Sequence, residues 1–166
     1  MSCDDRRLAT GSYDGKIGIW DIDDTRSTSY EKIRECDFDS NSFVLNTKYH
    51  PSSSSKVLGS NSDGLVCEFD VGSGSQLNCI QAHKMAVQGL DYSPIDGNLF
   101  VTSSHDGEIH LYDTRSSHLI NVFSGHGSWV TNVKFCDNKH FVSWFSSIFF
   151  ILISIFIFIS YLCIFC

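Results

Sequence analysis

Three stretches of this 166-residue chain superimpose on one another: LATGSYDGKIGIWDI from Leu8, VLGSNSDGLVCEFDV from Val57 and FVTSSHDGEIHLYDT from Phe100. Each reads as an apolar run, a few small residues, Asp-Gly, a second alternating run, and an aromatic residue followed by Asp. The aspartates of the Asp-Gly pairs are Asp14, Asp63 and Asp106, spaced by 49 and then 43 residues. That is close to the about 40–45 residues of one four-stranded propeller blade. A repeat of this kind constrains the fold more than composition can, because a single unit cannot cover its own apolar faces and must stack on its neighbours.

The local chemistry agrees with the period. Asp-Gly between two alternating runs is a tight hairpin signal, since glycine takes a positive φ without a Cβ clash. In KIGIWD, LVCEFD and EIHLYD successive residues face opposite sides, as in a strand packed between neighbouring sheets. FVLNTKYH from Phe43, VQGLDYS from Val87 and WVTNVKF from Trp129 supply the remaining strands. The expectation is an all-β repeat array with two whole blades and two partial ones.

Charge and cysteine usage narrow the function classes. A formal charge of −7 and a pI near 5.3 oppose direct nucleic-acid binding, which needs a basic face. The seven cysteines are scattered and odd in number, and nothing at the N-terminus reads as a signal peptide, so the thiols are read as small buried hydrophobes. Cys163-x-x-Cys166 has no second pair and no histidine near it, so no metal site is assigned. Pro51-Ser-Ser-Ser-Ser and Gly72-Ser-Gly-Ser are loop compositions. Asp21, Asp23 and Asp24 form a solvated turn without the spacing of a calcium loop. His50, His110, His118 and His140 receive no site.

The loops before two of the strands contain Ala82-His83 and Gly125-His126, and the hairpins close on Trp20-Asp21, Phe69-Asp70 and Tyr112-Asp113. On these residues the sequence resembles the WD-repeat family, whose repeats carry Gly-His before one strand and Trp-Asp after another. The resemblance implies a WD-repeat β-propeller, here a fragment of a seven-bladed ring. It also implies a buried structural network of loop histidine, Ser/Thr, turn aspartate and Trp. The fullest set is His83, Ser104, Asp106 and Tyr112. Ser12, Asp14 and Trp20 lack their upstream loop, Asp63 has Asn61 and no preceding Gly-His, and His126 heads the last set. A Ser, a His and an Asp together invite comparison with a hydrolase, but a turn aspartate stapling a loop histidine is structural, so no catalytic residue is assigned.

Within the family, the stretch from Leu8 to Ser143 resembles the later blades of the WD-repeat subunit shared by the superkiller complex and the polymerase-associated-factor complex. Gly-His-x-Ser-Trp-Val-x-Asn-Val-x-Phe-Cys from Gly125 carries most of that likeness. It implies a non-enzymatic scaffold with protein subunits as partners, no cofactor, RNA contacted only by those partners, and a place in nucleus and cytoplasm. Any binding face is expected on the His-loop and Asp-Gly edge, with Tyr13, Ser62 and His105 before the turn aspartates and Met85 and Trp129 near the start of the inner strands. Trp129 buried between blades is the competing placement.

The chain ends in a run without one charged residue. The repeat is read as stopping in mid-blade, with Phe145 where the buried Ser is due and Ser147 in place of the turn Asp. Residues 1–143 are therefore assigned to the propeller and 144–166 to a hydrophobic tail. The composition from Trp144 onward is that of thymine-rich codons, which points to translated non-coding sequence. The alternatives are a membrane anchor, about 20 apolar residues being long enough to span, and a buried core strand or helix.

Overall fold

The computed structural model describes residues 1–4, 6–22, 31–38, 41–95, 97–137, 140–146 and 161–165. These form four antiparallel sheets. The first is β1 (Arg7–Gly11), β2 (Lys16–Asp21) and β3 (Glu31–Asp37), and the second is β4 (Val44–His50), β5 (Ser53–Asn61), β6 (Leu65–Asp70) and β7 (Gln76–Gln81). The third is β8 (Val87–Tyr92), β9 (Leu99–Ser104), β10 (Glu108–Asp113) and β11 (Leu119–Ser124). The fourth is β12 (Val130–Phe135), β13 (Phe141–Phe145) and β14 (Tyr161–Phe165). Strands follow chain order within each sheet, and β4, β8 and β12 pack side by side as the inner strands. The expected pattern of two whole blades and two partial ones is the one observed.

The core is a set of seams between sheets, and alternation builds it. Val57 faces the first seam with Ile17, Ile19, Cys36, Phe38 and Phe69, whereas the next residue, Leu58, faces the second with Val66, Leu90, Tyr92, Phe100 and Tyr112. Phe100 and Val101 divide in the same way between the second seam and a third containing Ile109, Val130, Val133 and Phe141. A strand buried on both faces gains twice from the hydrophobic effect, about 1.5–3 kcal/mol for each large side chain fully covered. It also tolerates no slip of register, because one residue's shift exchanges the two faces.

The Asp-Gly turns take the expected form, with φ of 82°, 88° and 86° at Gly15, Gly64 and Gly107. At Gly64 a Cβ would also lie 2.2 Å from the His83 carbonyl oxygen, so this turn admits only glycine for space as well as for conformation.

Two expectations change. Cys67 and Cys79 stand directly opposite one another in the β6–β7 ladder and are joined as a disulfide, so these thiols are not separate small hydrophobes. The reason is register, which the spacing of cysteines along a chain does not reveal. The second change concerns the end of the blade. β13 runs to Phe145, across the boundary expected after Ser143, and β14 pairs with it from Phe141↔Phe165 to Phe145↔Tyr161. Among the described residues no helix is long and apolar enough to cross a membrane. Most of the uncharged run, residues 147–160, and Ser147 with it, lie outside the described residues.

Close packing at Gly59 gives a direct test. A Cβ there would lie 2.5 Å from Ile17 Cδ1 and 2.9 Å from the Phe38 ring across the first seam. Gly59→Ala should lower stability by about 1–3 kcal/mol in denaturant titration, as overpacking does. Gly127→Ala, with nothing within 4 Å of the added Cβ, should stay within about 0.5 kcal/mol of the parent.

Candidate functional site

The loop between β7 and β8 is pinned to the third sheet through a buried ring. His83 has a fully buried side chain; its Nδ1 lies 2.9 Å from Asp106 Oδ2 and its Nε2 2.8 Å from Thr102 Oγ1. An ionised carboxylate only accepts, so Nδ1 carries the proton and donates to Asp106, while Nε2 accepts from the Thr102 hydroxyl. Burial pushes the His83 pKa down to about 4; the neighbouring His110 adds to this and Asp106 opposes it. Burial also works against ionising Asp106, but His83 and the amides of Glu108 and Lys84 outweigh it and hold that carboxyl below its ordinary value.

The row Thr102, His83, Asp106 has the order of a nucleophile, a base and its orienting carboxylate. Thr102 has no exposed surface, and neither has the His83 side chain. No substrate atom can approach a hydroxyl sealed in this way, and the row acts as a staple between loop, strand and turn.

The staple differs from the expected set. The hydroxyl that meets His83 belongs to Thr102, not to Ser104; Ser104 donates to the Met85 carbonyl at 3.2 Å and accepts the Asp106 amide at 3.2 Å. Thr102 and Ser104 share a face of β9, but the imidazole reaches deeper than the turn, to the residue nearer the strand's middle. Blade one repeats the shift: Trp20 Nε1 donates to Thr10 Oγ1 at 2.8 Å, while Ser12 Oγ accepts the Asp14 amide at 3.4 Å. Tyr112 does not bond the strand hydroxyl as Trp20 does; its longer reach carries its hydroxyl to the Ala82 carbonyl at 3.0 Å.

The other sheets use what their sequences allow. In the fourth, His126 Nε2 meets Ser143 Oγ at 2.9 Å, so the buried hydroxyl is Ser143 and the expected vacancy at Phe145 does not arise; Phe145 instead lies 4.8 Å from the His126 ring. In the second, Gly59 holds the position equivalent to Thr102. There Asn61 bonds the buried Ser42 at 2.7 Å and accepts the amides of Asp63 and Leu65 at 3.1 and 2.8 Å. Asp14 and Asp106 accept the corresponding amides of their own turns, those of Lys16 and Glu108. Asp63 therefore does not play that part in its turn and is exposed. Among the described residues no group of histidine, cysteine and carboxylates could hold a metal ion.

Above the staples lies the Asp-Gly edge. Tyr13, 77% exposed, packs on Phe43 at 4.6 Å between ring centroids, and Trp129, 43% exposed, stacks on His105 at 4.5 Å. Met85 is exposed on the loop that His83 anchors. Each ring pair joins the residue before one turn aspartate to the residue before the next sheet's inner strand. Trp129 is thus not buried between blades. Ser62 is half-buried, its Oγ accepting the Phe43 amide at 3.1 Å. Phe43 carries no motif of its own, although it precedes β4 as Trp129 precedes β12.

Residues 1–21 and 74–113 match the family described as WD domain, G-beta repeat. This is a WD-repeat chain. The WD-repeat chain is 32% identical over 111 residues to DDB1- and CUL4-associated factor 5 of Homo sapiens, covering 66% of its own length and 11% of that protein's. It is 31% identical over 134 residues to histone acetyltransferase type B subunit 2 of Candida glabrata, covering 80% and 31%. With nuclear distribution protein PAC1 of Komagataella phaffii it shares 31% identity over 128 residues, covering 77% and 25%. The WD-repeat chain therefore spans less than a third of the length of each of these relatives.

The register of the staple can be tested by substitution. Thr102→Val leaves the His83 Nε2 without a partner and should lower stability by about 1–3 kcal/mol. Ser104→Ala should cost less, and in NMR spectra only Thr102→Val should move the His83 ring signals. Equal ring shifts in both variants would contradict the assignment.

Proposed function

We propose that this chain is a non-enzymatic scaffold module that captures extended segments of partner proteins on its Asp-Gly edge. The observation that carries the reading is the pair of ring contacts, the tilted Tyr13 with Phe43 and the stacked His105 with Trp129, set along one edge with exposed Met85 on the intervening loop. Large aromatic side chains and Met serve as contact anchors because they bury much area for little lost conformational freedom. The rings are presented by turns and loops that hydrogen bonds fix to the sheets, so little ordering remains for a partner to bring about. The names of the relatives, subunits and associated factors of larger assemblies, support the same reading.

At finer grain, the run from Gly125 to Cys136 supports a subunit of the superkiller and polymerase-associated-factor complexes, acting in nucleus and cytoplasm. Partner proteins, not this acidic chain, would hold nucleic acid there.

Affinity capture with the full chain checks both levels. Trp129→Ala and Tyr13→Ala should each reduce recovery of partner subunits by about tenfold, the size of a modest contact anchor, while leaving the denaturation midpoint nearly unchanged. His118→Ala, in the β10–β11 connection at the opposite end of its sheet, should reduce nothing. Undiminished capture by both ring variants would overturn the docking edge. Capture that depends on the rings but brings down subunits of a different assembly would overturn only the finer reading.

A further inference from the structure

A second imidazole lies beneath the loop staple. His110 on β10 is 8% exposed, and its ring stacks on His83 with 3.9 Å between centroids and 19° between planes. Its Nδ1 lies 2.8 Å from the Ala82 carbonyl and 3.3 Å from the Tyr112 hydroxyl, and its Nε2 lies 3.0 Å from Glu108 Oε2. The charged and titratable groups around the pair are Asp106 on the β9–β10 turn, Glu108 and Tyr112 on β10, and Lys84, whose amide bonds Asp106 at 3.4 Å. From the second sheet comes Asp63, on the turn packed against the His83 carbonyl.

One proton on this pair is offset, since each ring has a carboxylate at one of its nitrogens. Two protons place two cations face to face inside a seam where little water screens them. Both rings also hold the same short segment: His83 belongs to it, and His110 Nδ1 donates to the carbonyl of Ala82.

We infer that the His83–His110 stack is an acid-labile latch on residues 82–86, and that protonation of both rings frees this loop from the third sheet and withdraws Met85 from the docking edge. The consequence for partner capture rests on the docking reading above; the release of the loop does not. The direction in pH follows from the buried ring. The folded-state pKa of His83 is depressed to about 4 from an ordinary 6.5. The latch therefore contributes fully above pH 6.5 and loses its contribution as pH falls from there towards 4, because the released loop binds the proton more tightly. Asp106, with its lowered pKa, stays ionised through that window and does not set it. His105 and His126 are also shifted down by burial, so the readout must be local.

Amide hydrogen exchange of the full chain, corrected for the intrinsic effect of pH, gives such a readout. Protection of residues 82–86 should fall by about tenfold or more between pH 7 and pH 5, while the 12–16 turn, which has no histidine, keeps its protection. His110→Phe retains a stacked ring without a second charge and should move the release down by about one pH unit or more. If that variant is unfolded at pH 7, Glu108→Gln, at the half-exposed end of the network, should instead deepen the release in acid. Equal protection of 82–86 at both pH values, or release in His110→Phe or Glu108→Gln that matches the parent, would overturn the latch. A loop that opens in acid while Trp129→Ala and Tyr13→Ala leave capture intact would remove the docking reading and leave the latch standing.

Discussion

Burial of both faces of the same strands is the constraint on which this structure depends. In β5, β6, β9 and β10 adjacent residues serve different seams, so each sheet is ordered by its neighbours as much as by its own hydrogen bonds. Such a stack leaves no seam free to slide. It also leaves the loops at the sheet ends without a core of their own, and they need a separate means of attachment. Hydrogen bonds from buried side chains supply it, and they differ from blade to blade because the space beside each inner strand differs. Gly59 has the Phe38 ring where Thr102 has a histidine partner, so the second blade turns to Asn61 and Ser42.

Much of this was legible in the residues. The 3.4 Å advance and alternating faces of a strand make a period of two readable by eye, and Asp-Gly fixes where each hairpin turns. The sheets and their order follow from those signals, whereas the loop histidine joined to its turn aspartate was implied by the resemblance to WD repeats. What could not be read was depth. Thr102 and Ser104 point to the same side of β9, and only the length of an imidazole decides which of them it reaches. The same two-residue ambiguity hid Ser143 behind Phe145. His110 carried no motif at all, since a histidine alternating into a seam looks like any other inward residue. The Cys67–Cys79 pair depends on the offset between β6 and β7, which a bulge at Glu68/Phe69 shifts.

Position in the fold also separates what is chemically suggestive from what is used. A hydroxyl, an imidazole and a carboxylate in hydrogen-bonded order would be a catalytic row at the mouth of a cleft. Sealed beneath a loop, the same groups fix geometry, and the exposed rings above them become the surface that other molecules can meet. On the proposed docking reading, stability and recognition are coupled through one segment, residues 82–86, whose buried end is the His83 ring and whose outer end carries Met85.

His83 is a buried, neutral ring with its proton on Nδ1, clamped between Asp106 and Thr102. Nitrogen-15 NMR of the histidine side chains at pH 7 tests it most directly. One ring should appear in the Nδ1–H tautomer, with a ring proton that exchanges slowly with water and a signal that does not titrate between pH 8 and pH 5.5. A His83 ring that titrates near its ordinary value of 6.5, with tautomers averaged and a fast-exchanging proton, would contradict it.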